Sequence, residues 1–163
     1  GPMMPHAKKL AIIAAQGTLD SGYPPFILAS TAAALGYEAR IFFMFHGLQL
    51  LRRDLGLKVS PLGNPALRLP FGMHRWFPAL VAALPGMETL FTALLKRRLR
   101  SKGVASLEEL RDLCVESGVK MIACQMTLDL LDVDPKDLID GVEFGGAASF
   151  LDFAGGSDIC LYM

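Results

Sequence analysis

Five short, largely apolar runs recur along the chain, and the first of them, 10–15, breaks at Gln16-Gly17-Thr18. Continuous apolar runs of this length are typical of strands that helices cover on both faces of a sheet. The strands predicted from them are residues 10–15, 38–45, a weaker run at 59–62, 119–123 and 159–163.

Segments with helical patterns separate these strands. Asp20 or Ser21 can cap a helix that reaches Leu35, with Pro24 and Pro25 in its first turn. The remaining predicted helical segments are 48–55, a helix with a capping-box pattern from Ser106 to Gly118, a helix from a Thr127 cap to Leu131, a turn at Asp134-Pro135 and part of 142–154.

Strands that alternate with helices predict a single α/β domain, in which a mostly parallel sheet of about five strands lies between two layers of helices. The length of 163 residues fits one such domain. Ligands of these folds bind at the carboxyl ends of the strands. This rule brings the loops 16–21, 46–47 and 124–127 to one edge, where we expect the functional site.

The composition is 52% hydrophobic and 20% charged, which is more apolar than an average soluble domain. We therefore expect part of the surface to meet a partner, as in a homo-oligomer. Sixteen basic residues balance sixteen acidic ones. No overall positive charge attracts nucleic acid, so nucleic acid is not an expected partner.

The three cysteines are widely spaced, without the CxxC pairs or histidine clusters of zinc sites. Neither a disulfide scaffold nor a metal is expected, and free thiols fit the reducing cytoplasm. Cys114 lies on the apolar face of its predicted helix and Cys160 inside the last predicted strand, so both are predicted to be core residues. Residues 1–3 look like a protease-cleavage scar.

Cys124 ends its predicted strand just before the start of a helix. The thiolate is the reactive form of cysteine, and the amino terminus of a helix or a nearby cation stabilises it. His46, at the end of the neighbouring strand, could supply such a charge. The alternatives stay open: a merely buried Cys124, a structural His46, and an Asp20 that caps a helix instead of acting as an acid or base.

Several stretches resemble the DsrE/DsrF/DsrH-like sulfur-relay family, and in particular its large DsrE-like branch. The most specific is the cysteine-containing segment 122–129. The others are 17–20 with 24–30, 41–48, 103–111 and 140–143, so the resemblance covers most of the chain.

This resemblance implies a flavodoxin-like fold, a homo-oligomer and one persulfide-forming cysteine, which is Cys124 in this sequence. Such a cysteine accepts sulfane sulfur from one carrier protein and passes it to another, and no metal or organic cofactor is expected. The residues expected to bind or support around Cys124 come from the three crevice loops: Gly17, Thr18, Asp20, His46, Gln125, Met126 and Thr127. Backbone amides of the last three could stabilise a sulfur anion.

The apolar stretch 76–95 contains one charge, Glu88, and a basic run at 96–102 follows it. Its length permits a membrane span, but the internal prolines and Glu88 disfavour one. Two alternatives remain: an interfacial helix that gives peripheral contact with the inner membrane surface through 71–100, and a helical insertion at 66–102 buried between subunits.

The predicted function is therefore that of a sulfur carrier or sulfurtransferase. A second hypothesis is a non-catalytic module whose crevice binds a small molecule or a protein. The segment 17–20 is neither a GxGxxG motif nor a Walker loop, so phosphate binding has weak support. A third hypothesis, a thiol redox sensor, needs a resolving cysteine, and Cys114 and Cys160 are predicted to be too buried.

Overall fold

The computed structural model describes residues 7–56 and 106–163. Within them, five strands pair in parallel in one sheet of order β4-β3-β2-β1-β5. The strands are β1 (Lys9–Ala14), β2 (Glu38–Phe43), β3 (Lys120–Cys124), β4 (Glu143–Gly145) and β5 (Ile159–Tyr162). The helices are α1 (Leu19–Ala34), α2 (Leu107–Glu116), α3 (Gln125–Leu130) and α4 (Ala147–Gly155), with 3₁₀ segments at Phe45–Leu51 and Pro135–Asp137.

Alternate side chains of the strands supply two separate cores. On one side of the sheet, here called the α1 face, residues of α1, α2 and α3 join the larger core; they include Phe26, Leu107 and Leu128. On the opposite side, the α4 face, Phe150 and Phe153 of α4 pack on the sheet. The predicted three-layer α/β sandwich is confirmed.

The order of the strands follows from where these helices lie. The chain moves outward from β1 to β4 while its helices lie on the α1 face, and α4 then returns along the opposite face to β5. A reversal of direction together with a change of face is what right-handed crossovers require. One consequence is that β3 and β4 are followed by helices on opposite faces of the sheet.

The amino terminus of α1 differs from the prediction. Its cap is Thr18, not Asp20 or Ser21. The Thr18 backbone N–H donates to Ser21 Oγ at 3.0 Å. This hydrogen bond fixes the start of the helix two residues before Asp20, the first of the predicted caps. Pro24 and Pro25 therefore lie inside the helix and not in its first turn.

Two other predicted segments are also corrected. A 3₁₀ segment at Phe45–Leu51 replaces the predicted helix 48–55. The segment 142–154, predicted to be helical in part, contains most of α4, but its residues Glu143–Gly145 form the short strand β4, and Gly146 caps α4. The predicted strand 59–62 lies outside the described residues, as does the insertion 66–102.

Arg111 connects α2 to the end of the first 3₁₀ segment. Its side chain is buried, and its Nη1 donates to the carbonyl oxygens of Leu50 at 2.9 Å and Arg52 at 2.7 Å. Burial lowers the pKa of the Arg111 guanidinium. These hydrogen bonds hold the chain that follows β2 against α2.

Candidate functional site

Cys124 is the last residue of β3 and the N-cap of α3. It pairs in register with Gly145, the last residue of β4. Its side chain belongs to the α4-face core, together with Phe42, Ile122 and Phe150, and is only 5% exposed. The thiol therefore lies just below the carboxyl-end edge of the sheet, between two strand ends.

The two strand ends at Cys124 and Gly145 lead in opposite directions. From Cys124 the chain enters α3, whose Leu128 packs on the α1 face, whereas from Gly145 it enters α4 on the other face. Neighbouring strands whose connections part to opposite faces leave a crevice between them, and such crevices are the usual ligand sites of open α/β sheets. By this rule a ligand site is expected between the ends of β3 and β4, beside Cys124.

Thr127 does not cap α3 as predicted; it lies inside the helix, in the turn that Cys124 caps. Its side chain is 2% exposed, and its Oγ1 accepts a hydrogen bond of 3.2 Å from the Phe45 backbone N–H. Phe45 has φ = 49°, a left-handed conformation that is unfavourable for a residue with a side chain. The loop after β2 is thus tied to the helix after Cys124.

Gly17 and Gly47 allow the loops after β1 and β2 to pack backbone to backbone. A Cβ at Gly17 would lie 2.1 Å from the His46 carbonyl oxygen, and one at Gly47 would lie 2.0 Å from the Ala14 carbonyl oxygen. Real side chains never make such contacts, so both positions require glycine. This packing brings the His46 carbonyl and Gly17 together at the end of β1.

The other predicted supporting residues are more spread out. Asp20 lies in the first turn of α1, after the Thr18 cap. The His46 side chain is exposed, while its backbone carbonyl rests on Gly17 over β1, two strands from β3. Gln125 donates to Asp129 Oδ1 at 3.0 Å along α3, and Met126 is 71% exposed.

The other two cysteines differ from each other. Cys114 is fully buried and its Sγ donates to the Phe26 carbonyl oxygen at 3.2 Å, which confirms the prediction of a core residue. Cys160 is exposed, so the prediction of a core residue is wrong. It lies on edge strand β5 opposite Ala11, on the α4 face, where the nine-residue α4 does not reach it.

Two features of the site were missed from the sequence. Gly145, the partner of Cys124, belongs to a strand of three residues that the pattern did not reveal; the run Val142-Glu143-Phe144 before two glycines was its one signal. The hydrogen bond from Phe45 to Thr127 joins residues 82 positions apart and leaves no local trace. Within 7–56 and 106–163, no cluster of His, Cys, Asp or Glu is arranged to hold a metal.

A family model described as "DsrE/DsrF/DrsH-like family" matches residues 6–162. The chain belongs to the DsrE/DsrF/DsrH-like family. The resemblance in its cysteine segment is therefore part of a match that spans nearly the whole sequence. In this chain, the cysteine of that segment, Cys124, lies at the carboxyl end of a parallel strand.

Two curated relatives align over almost all of the chain. The chain is 64% identical to "Sulfur carrier protein DsrE2" of Allochromatium vinosum over 156 residues, which cover 96% of this chain and 98% of that protein. It is 29% identical to "Uncharacterized protein YrkE" of Bacillus subtilis over 151 residues, 91% of this chain and 92% of that protein. These two proteins are about as long as the chain itself.

Among solved structures, the chain is similar to the ychN protein from E. coli, with a TM-score of 0.54 and 14% sequence identity. The alignment covers 96% of this chain and 99% of that one. At this identity the likeness concerns the fold alone. In the described part of the chain, no helix is both long and apolar enough to cross a membrane.

Proposed function

We propose that this protein is a sulfur carrier that holds sulfane sulfur as a persulfide on Cys124 and passes it to another carrier protein. The observation that carries the proposal is the position of Cys124 at the carboxyl end of β3, where the connections that follow β3 and β4 part to opposite faces of the sheet. The 64% identical relative named as a sulfur carrier supports it.

The transfer needs one thiol and no external oxidant or reductant. The Cys124 thiolate attacks the outer sulfur of a donor persulfide, R–S–SH; a new S–S bond forms at Cys124, the donor S–S bond breaks, and the donor leaves as R–S⁻. Cys124 then carries –S–SH. An acceptor thiolate repeats the attack on this outer sulfur, and Cys124 leaves as the thiolate.

The surroundings of Cys124 suit a stored sulfur atom. Phe42, Ile122 and Phe150 form apolar walls that keep out water and bulky reagents. Helix α3 begins directly after Cys124, and its first backbone N–H groups are not used by helix hydrogen bonds. A sulfur anion beyond Cys124 Sγ can accept from the amides of Gln125, Met126 and Thr127, as oxyanions do at similar positions.

The experiment is intact mass spectrometry, followed by peptide mapping, after incubation with inorganic polysulfide. We expect mass gains in steps of about 32 Da, one sulfur atom each, located at Cys124 and reversed when a small thiol acceptor is added. Cys124→Ser should abolish the transferable sulfur. Cys160→Ser is the matched control, because it removes an exposed thiol and leaves the crevice intact, and it should load and unload like the natural protein.

Equal loading of Cys124→Ser and the natural protein would contradict the proposal. So would sulfur on Cys124 that no thiol acceptor removes, since a carrier must release its cargo. Loading confined to Cys160 would show that exposure alone decides where polysulfide reacts.

A further inference from the structure

The Cys124 side chain points to the α4 face, and on that face its neighbour on β4 has no side chain. Cys124 and Ile122 are two residues apart on β3, so both point to this face, where both belong to its core. Gly145 is the register partner of Cys124 on β4. A Cβ on Gly145 would point to the same face, because it would lie 3.1 Å from Ile122 Cγ2. Gly145 therefore leaves a space next to Cys124, on the side of the sheet that the thiol occupies.

Ser149 borders the same space. It lies in the first turn of α4, the helix that follows Gly145 and covers the α4 face. Ser149 Oγ is 3.3 Å from the position that a Cβ on Gly145 would take. The space next to Cys124 thus has an apolar side, formed by Ile122, and a polar side, formed by the Ser149 hydroxyl.

The Ser149 hydroxyl is free to turn toward this space. Its Oγ donates to the Gly146 carbonyl oxygen at 3.0 Å, and both residues are exposed. A hydroxyl rotates to suit its partners. Because water can replace the hydroxyl at an exposed carbonyl, Ser149 can exchange this hydrogen bond for one to a group next to Gly145 at little cost.

We propose that the outer sulfur of the Cys124 persulfide lies in the space left by Gly145 and accepts a hydrogen bond from the Ser149 hydroxyl. The inference rests on the proposed carrier function and adds a side-chain donor on the α4 face to the backbone amides of α3. An S–S bond of about 2.05 Å spans less than half of the roughly 4.8 Å between neighbouring strands, so the outer sulfur fits between Cys124 and Gly145. The hydrogen bond favours the anionic persulfide, which is the form that reacts.

The test follows the persulfide on Cys124 in the full chain, in a Cys160→Ser background. The protein is loaded with inorganic polysulfide, freed of excess reagent and treated with iodoacetamide at a series of pH values. The anionic outer sulfur forms a C–S bond and displaces iodide, and mass spectrometry of the Cys124 peptide measures the product. The pH of the half-maximal rate reports the pKa of the persulfide.

Ser149→Ala removes the hydroxyl. It should raise this midpoint by about one pH unit, the effect of losing one hydrogen bond to an anion that water partly replaces. Ser149→Thr keeps a hydroxyl and should retain the parent midpoint. Ser157→Ala is the matched control, because Ser157 Oγ also donates to a carbonyl, that of Phe153 at 2.8 Å, just beyond the other end of α4. Glu143 points to the same face from β4 but is present in every variant, so its charge cancels in the comparison.

A midpoint that Ser149→Ala leaves unchanged would overturn the proposal. So would an equal rise for Ser149→Thr or for Ser157→Ala. The unloaded protein distinguishes a contact with the outer sulfur from a structural effect: there, Ser149→Ala should leave the alkylation rate of Cys124 at the parent value. An equal change before and after loading would mean that Ser149 acts on the thiol itself or on the fold, and the proposal would be wrong.

Gly145→Ala tests the space itself. Its Cβ needs small shifts of Ile122 and Ser149, and it fills the space that the outer sulfur requires. We expect the loaded fraction of Cys124 at a fixed polysulfide concentration to fall about fivefold. Gly155→Ala is the same change where a Cβ meets nothing within 4 Å, and it should load like the parent protein. Equal loading of the two variants would overturn the proposal.

Buried Cys114 reports on the fold in the same digests. If Gly145→Ala exposes it to alkylation, the Ser149 variants decide. If polysulfide adds no transferable sulfur to Cys124 in the parent protein, the carrier function is wrong and this inference with it. If the parent loads and unloads sulfur but the Ser149 and Gly145 variants match their controls, the carrier function stands and only the placement of the outer sulfur is wrong.

Discussion

At the scale of single residues, the two buried cysteines differ in what surrounds them. Cys124 lies at the carboxyl end of β3, whereas Cys114 faces the middle of α1 and donates to the Phe26 carbonyl. Burial raises the pKa of the Cys114 thiol to about 12. Cys114 therefore stays protonated, and hence unreactive, across the range in which free thiols ionise.

The raised pKa of Cys114 predicts how stability changes at alkaline pH. The unfolded chain loses this proton near the ordinary cysteine value of about 8.5, while the folded protein keeps it. The stabilisation is thus intact below that value and is lost as pH rises toward the folded value. We expect the free energy of unfolding to fall more steeply between about pH 9 and 11 for the natural protein than for Cys114→Ala.

Urea unfolding midpoints over a series of pH values measure this slope. The absolute stability of Cys114→Ala will be lower because of the cavity it leaves, so the slope and not the midpoint at one pH is the readout. Burial also raises the pKa of Tyr23, but that group is present in both proteins and cancels. Parallel slopes would show that the Cys114 thiol ionises in the folded state as easily as in the unfolded one.

At the scale of elements, the site depends on how the loops after β1 and β2 meet. Replacing Gly47 by Ala places a Cβ 2.0 Å from the Ala14 carbonyl oxygen, a backbone atom that cannot move without breaking the β1–β2 pairing. We expect a loss of about 2–3 kcal/mol in the free energy of unfolding. Chemical denaturation followed by circular dichroism measures it.

Gly155→Ala is the matched control, because its Cβ would meet nothing within 4 Å and it lies in α4. Alanine favours a helix over glycine, so this variant should be neutral or gain up to about 1 kcal/mol. A Gly47→Ala protein as stable as Gly155→Ala would mean that the two loops separate easily.

The elements also show what the sequence could reveal. The runs at 10–15, 38–45, 119–123 and 159–163 gave four strands to within two residues at each end, because each is rich in apolar residues. For β5 this pattern did not reflect burial, since most of its residues are exposed. Strand β4 was missed because it is short and at an edge, where Glu143 and Phe144 stay exposed. The position of Cys124 at a strand end before a helix was predicted correctly, but the contacts that enclose its side chain join distant segments and have no local pattern.

At the scale of the whole molecule, the two faces of the sheet are covered unequally. In the described residues, three helices pack on the α1 face, but the α4 face has the single nine-residue α4. Leu151 of α4 is 63% exposed, and Tyr162 of β5 is 72% exposed. The high apolar content of the chain has therefore not all been buried within these residues.

We expect the protein to be a homo-oligomer for this reason, and light scattering or sedimentation at several concentrations measures it. The sequence places a further apolar segment at 71–95, outside the described residues, which adds to the area that a subunit interface can cover. A monodisperse monomer that stays in solution without detergent would contradict the prediction.

The pairing of β5 with β1 sets the order in which the chain can fold. Leu10 pairs with Ile159 and Ile13 with Tyr162, so one edge of β1 stays unpaired until residues almost 150 positions later have been synthesised. During synthesis this apolar edge stays open long after β2 is available on the other side, and parallel pairings across such distances form slowly. An unpaired apolar edge is a template for aggregation, so the nascent chain is most prone to aggregate just before β5 emerges from the ribosome.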